Sequence, residues 1–154
     1  MDIKNRFHTR TTYNLQRLDY VALLLLSVIV ALAHIGQIRW RAFAVAMLYP
    51  DLLGYIPGAI AYYVLAKGSP RRIPRAFYFL YNATHSLALN VGVLAIWYFV
   101  YGGWEWAMMA LPIHFAADRG VFGNVYKPLG VSFEPVPHPR FVAFDKEYQR
   151  RGAW

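Results

Sequence analysis

The chain has 154 residues, no cysteine and a formal net charge of +8, with 58% hydrophobic and only 16% charged residues. A soluble domain carries roughly a quarter charged residues, so the composition excludes an ordinary water-soluble fold. The missing thiol excludes disulfides, thiolate metal sites and a cysteine nucleophile. The basic residues alternate with long apolar runs, a pattern of membrane proteins before nucleic-acid binders.

The first apolar run extends from Tyr20 to Gly36 and is lengthened by Gln37 and Ile38. A basic leader, a short apolar core and Ala31-Leu32-Ala33 also imitate a signal-peptide cleavage site, but the leader is long for that role. The second run, Ala42 to Ala66, is interrupted by Pro50-Asp51, Gly54, Pro57 and Gly58. The third, Ala76 to Tyr101, carries Asn82, His85 and Asn90, and Gly102-Gly103 ends it. The fourth starts at Trp104, contains Pro112 and runs to Gly120. None has the strict alternation of a barrel strand, and in hydrocarbon the backbone must satisfy itself, so helices are expected. The predicted fold is all-α: a four-helix transmembrane bundle with helices at about 20–38, 42–66, 76–101 and 104–120.

Lys and Arg orient it. Lys4, Arg6, Arg10 and Arg17, then Lys67, Arg71, Arg72 and Arg75, then Arg119, Lys127, Arg140, Lys146, Arg150 and Arg151 all fall on one side. Only Arg39 and Arg41 fall on the other, and the positive-inside rule therefore predicts both ends cytoplasmic. The basic loops suit anionic lipid, so the bilayer is the expected partner, with no nucleic acid. The expected location is the bacterial inner (plasma) membrane, multi-pass. Residues 121–154, rich in proline and aromatic side chains, read as an extended cytoplasmic tail. No internal repeat points to an inverted-repeat transporter.

The informative residues are polar ones inside the spans. An ionisable group at mid-membrane costs roughly 2.5–3.5 kcal/mol and persists when something compensates it. With 1.5 Å per residue, Asp51 lies ~14 Å from the outer end of its helix, His85 ~14 Å from the inner end of its own, and His114 ~15 Å from the outer end of the last. Asp118 follows His114 by one turn on the same face. Tyr81 and Asn82 flank His85 one turn earlier. Asp51, His85, His114 and Asp118 thus form a candidate metal set for Zn²⁺ or Fe²⁺, with His85, His114 and Asp118 as candidate catalytic groups. Tyr81, Asn82 and Arg119 are expected around them. The bland alternative is a buried hydrogen-bond cluster tying helices together, worth about 0.6 kcal/mol per bond.

Other residues have simpler readings. Arg119 is expected as a snorkelling anchor or as the partner of a helix carboxylate. His34 is expected as an interfacial polar residue, and Trp40, Trp104 and Trp106 as an aromatic belt. Gly54 and Gly58 make a small-x-x-x-small pair that suggests close helix packing and a homodimer. A larger membrane complex is the other expected assembly.

At these residues the chain resembles a bacterial family of small polytopic membrane proteins, domain of unknown function number 4260. The family pattern is Asp followed by Gly-Tyr, then Tyr-Asn-x-x-His, then His-x-x-x-Asp-Arg-x-x-Gly. It is matched here by Asp51 with Gly54-Tyr55, by Tyr81-Asn82-Ala83-Thr84-His85, and by His114 through Asp118-Arg119 to Gly123, with Lys127 beyond. The resemblance covers residues 48–127. The Asp-to-Gly-Tyr spacing is shorter here, and Gly123-Asn124-Val125-Tyr126-Lys127 replaces a Gly-Leu-Lys ending. It implies that the polar residues belong to one site and implies no particular activity. Three functions fit the residues: a metal-dependent hydrolase of a lipid-like ester, a non-enzymatic accessory subunit, or a proton or ion pathway.

Overall fold

The computed structural model describes residues 7–68, 71–129, 131–134 and 136–151. Lys4 and Arg6 of the orientation pattern lie outside them. All regular structure among the described residues is helical.

Helix α1 (Arg10–Ala33) begins well before the apolar run, because Thr9 caps it by accepting the Thr12 N–H. It ends before the expected Ile38: His34 leaves helical geometry and a short 3₁₀ turn (Ile35–Gln37) follows. Helix α2 (Trp40–Leu65) runs on through Pro50 and Pro57 by widening. At Asp51–Tyr55 and again at Ala61–Leu65 its turns are of the π type, in which an N–H reaches back five residues; Ile56 bonds the Asp51 carbonyl in this way.

The third run is not one helix, contrary to expectation. Helices α3 (Arg75–Thr84) and α4 (Leu87–Tyr101) meet at His85-Ser86 with a bend of 57°. The cause is local. Thr84 bonds back to the Leu80 and Tyr81 carbonyls, and Ser86 is extended and caps α4 through Leu89 N–H. Asn90, almost fully buried, donates to the Thr84 and Ser86 carbonyls at 2.8 Å each and so satisfies acceptors that the break exposes.

The last apolar run forms helix α5 (106–122), made of a 3₁₀ turn (Trp106–Met109), an α segment (Ala110–Ala117) and a π turn (Asp118–Phe122). It is the centre of the molecule: Ala107, Met108, Ala110 and Ala116 are fully buried. Small side chains let the other helices approach it closely. A Cβ on Gly120 would press on the Val21 backbone of α1. Ala46 of α2 packs with Ala110, Leu111 and Phe115.

Helices α1 and α2 are each long and apolar enough to cross a membrane, and α3 with α4 makes a third candidate if the bent pair is one span. Their outer faces carry exposed Leu, Ile, Val and Phe, among them Leu25, Ile29, Ile60, Phe99 and Val100. Such contiguous apolar surface needs a partner other than water.

The tail is not extended throughout. It folds back so that Phe133 is buried against Tyr62, Tyr78 and Tyr81, and Pro139–Arg151 is a helix, α6. Proline suits a first helical turn, and Phe141, Phe144 and Tyr148 recur at helical spacing. Phe144 and Tyr148 stack on each other, and both rings pack at a tilt against Phe7. Gln149 accepts from Arg10 N–H and donates to the His8 carbonyl, tying α6 to the start of α1. The expected close approach at Gly54 and Gly58 is made within the chain, against α3 and against Phe133 respectively.

Candidate metal centre at the helix breaks

Three of the four ionisable groups stand where their helices depart from regular α geometry. Asp51 and Asp118 open the π turns of α2 and α5, and His85 is the residue after α3, at the bend. Only His114 comes from an ordinary turn. π turns favour functional positions because the extra residue re-aims side chains.

The structure brings all four together. His85 Nε2 is 3.4 Å from Asp51 Oδ1 and 3.6 Å from Asp118 Oδ2, and His114 Nε2 is 3.4 Å from the same Asp118 oxygen. One ligand atom each from Asp51, His85 and His114 lie within 4.8 Å of one another. His85, His114 and Asp118 are 3%, 8% and 14% exposed, whereas the Asp51 side chain is 44% exposed and marks the open side.

These separations are long for hydrogen bonds, which cluster near 2.9 Å for N–H···O. They match the edges of a coordination shell: a tetrahedral ion with bonds of about 2.1 Å sets its ligand atoms about 3.4 Å apart. His114 Nε2 and Asp118 Oδ2 are buried without a hydrogen-bond partner. Leaving such groups unsatisfied costs about 1–3 kcal/mol each.

The second ring nitrogens strengthen the case. His85 Nδ1 lies 2.9 Å from the Tyr81 carbonyl, to which it can only donate, so a neutral ring turns the Nε2 lone pair toward two carboxylates. That arrangement is repulsive unless a cation, either a proton on Nε2 or a metal, sits between them. A backbone carbonyl on the remote nitrogen is also what orients a metal-bound histidine. His114 has the backbone of Met47 as a comparable neighbour.

The three surrounding residues take different places. Tyr81 stacks on His85 with ring centroids 4.0 Å apart, directly beside the centre. Arg119 is neither a snorkelling anchor nor the partner of a carboxylate: it is buried, donates to the His85 carbonyl at 3.3 Å and lies over the rings of Tyr20, Phe115 and Tyr126. Asn82 does not face the centre. Its amide donates to the Lys127 carbonyl and accepts from Lys127 N–H, pinning the tail to α3.

Two supporting residues were not singled out from the sequence as parts of the site. Asn90 seals the helix break, and Tyr49 donates its hydroxyl to Asn90, linking α2 to α4 beside Asp51. Polar residues in an apolar helix are the signal, but only the break gives Asn90 carbonyls to satisfy. Away from this centre, Arg39 donates two hydrogen bonds of 2.6 Å each to the carboxylate of the buried Glu105. The Glu105 hydrogen bonds hold the Arg39 guanidinium charged, raising its pKa above the usual value. His34 stacks on Trp106 there, at 3.4 Å between centroids.

Compared with family models, curated proteins and solved structures, the chain gives no match.

Proposed function

We propose that the chain is a multi-pass protein of the inner (plasma) membrane, with both ends cytoplasmic, whose Asp51, His85, His114 and Asp118 bind one Zn²⁺ or Fe²⁺ ion at mid-membrane depth. The observation that carries this reading is the pair His114 Nε2 and Asp118 Oδ2, buried, without hydrogen-bond partners and spaced like two ligands. Membrane placement is supported by the apolar helices, and orientation by the one-sided distribution of Lys and Arg.

A metal here would lower the pKa of bound water and polarise an ester carbonyl. His85, His114 and Asp118 are the buried ligands, held by the Tyr81 carbonyl, the Met47 backbone and the π turn. Asp51, the exposed member of the four, is the ligand that entering water or substrate would displace. The substrate class is a lipid-like ester, because Leu52 and Leu53, which follow the exposed Asp51, are themselves exposed. The second reading is a proton pathway, in which the cation between the carboxylates is the proton of His85.

Metal content of the purified protein, measured by mass spectrometry beside His85→Ala and His114→Ala, separates the two. About one Zn or Fe per chain, lost in both variants, is the expected result. No metal in the wild type overturns the metal centre and leaves the proton pathway or a purely structural role.

A further inference from the structure

We propose that the cavity between the folded-back tail and α3 binds the headgroup of phosphatidylethanolamine, with the phosphate on Lys127 and the ammonium on Glu134. This cavity, about 600 Å³, is lined among others by Tyr81, Tyr126, Lys127, Ser132, Glu134 and His138. Its size lies in the range of roughly 300–1,000 Å³ typical of ligand sites. Its lining begins at Gly123, just past the end of α5, and on the proposed orientation that end lies at the cytoplasmic headgroup level.

The polar groups inside it are paired but incompletely used. Lys127 Nζ donates to the Phe133 carbonyl at 2.7 Å and stands 4.0 Å from Glu134 Oε2, too far for a hydrogen bond. Glu134 Oε1 is buried beside the Tyr55 hydroxyl, which leaves Oε2, 4.0 Å from Lys127 Nζ, as the carboxylate oxygen open to a ligand. One cation with donors to spare and one carboxylate oxygen that it does not reach complement a ligand that carries an anion and an N–H cation side by side. A phosphoethanolamine group has both. A choline head has no N–H for Glu134, and a glycerol head has no cation. Tyr126 and Tyr81 add ring faces that favour an ammonium. The apolar walls, with Val131, Val136 and Phe141, continue toward the exposed apolar surface and suit the attached acyl chains. This inference does not depend on the metal centre, since none of the four candidate ligands lines the cavity.

The test is native mass spectrometry of the delipidated full chain titrated with phosphatidylethanolamine, phosphatidylcholine and phosphatidylglycerol of identical acyl chains. Wild type is expected to retain the ethanolamine lipid about tenfold better than either other lipid, which is about 1.4 kcal/mol. Glu134→Gln is expected to erase that preference while metal content stays at the wild-type level. Equal retention of the three lipids by wild type, or a preference that survives in Glu134→Gln, overturns the proposal. Soluble phosphoethanolamine in excess is expected to leave the bound lipid in place; its displacing the lipid completely would overturn the assignment to a membrane lipid.

Discussion

Gly54 of α2 lies so close to Thr84 of α3 that a side chain on the glycine would overlap the threonine hydroxyl and crowd His85. The absence of a Cβ is what lets α2 carry Asp51 up to His85. Gly54→Ala is therefore expected to push the helices apart, costing about 1–3 kcal/mol as overpacking does. It should also lower metal content, although Gly54 is not itself a ligand. Thermal unfolding in detergent and metal analysis on the same samples check both effects.

Asp118 is the carboxylate shared by both histidines. Asp118→Asn keeps the volume but removes the charge that a cation between the imidazoles requires. Metal affinity is expected to fall at least about 10–100-fold, the range seen when even supporting groups are lost. Competition with a chelator of known affinity reads this directly. Unchanged affinity would remove Asp118 from the ligand set.

Asn82 holds the tail through two backbone hydrogen bonds at Lys127, of 2.9 and 2.8 Å. Asn82→Ala is expected to cost about 2 kcal/mol at roughly 1 kcal/mol per bond. Limited proteolysis should then cut within 128–138 faster than in wild type, and metal content should be unchanged.

Burial lowers the Lys127 pKa below its ordinary 10.5, with Glu134 offsetting part of the effect. Between that lowered native value and 10.5 the unfolded chain binds more protons than the folded one, so this residue makes stability rise with pH across that window. Lys127→Met keeps the stem among Tyr55, Tyr81 and Phe133 and removes the titration. The pH dependence of the unfolding temperature should be flatter in the variant over that window.

Arg39 and Glu105 are unequal partners: the arginine is half exposed and the carboxylate buried. Removing the arginine strands a buried charge, whereas neutralising the glutamate does not. Arg39→Ala is therefore expected to lower the unfolding temperature more than Glu105→Gln. The reverse order in a detergent melt would show that the pair is not what stabilises this end.

The sequence by itself determined that the protein is helical and that its helices are apolar enough for a membrane. Both follow from composition and run length, which act residue by residue through solvation. It also singled out Asp51, His85, His114 and Asp118, because an ionisable side chain in an apolar run is conspicuous wherever the helix packs. Tertiary structure decided the rest. The break at His85-Ser86 depends on Asn90 reaching back to freed carbonyls, and the π turns at Asp51 and Asp118 are small shifts in backbone pairing that leave hydrophobic periodicity almost unchanged. The burial of Phe133 and the pinning of Lys127 by Asn82 join residues 45 to 71 positions apart. Arg119 looked like an anchor because charge at a helix end ordinarily seeks water, but here three aromatic rings and the His85 carbonyl enclose it. Contacts of that kind are set by which surfaces meet, and a single sequence encodes them only through the whole fold.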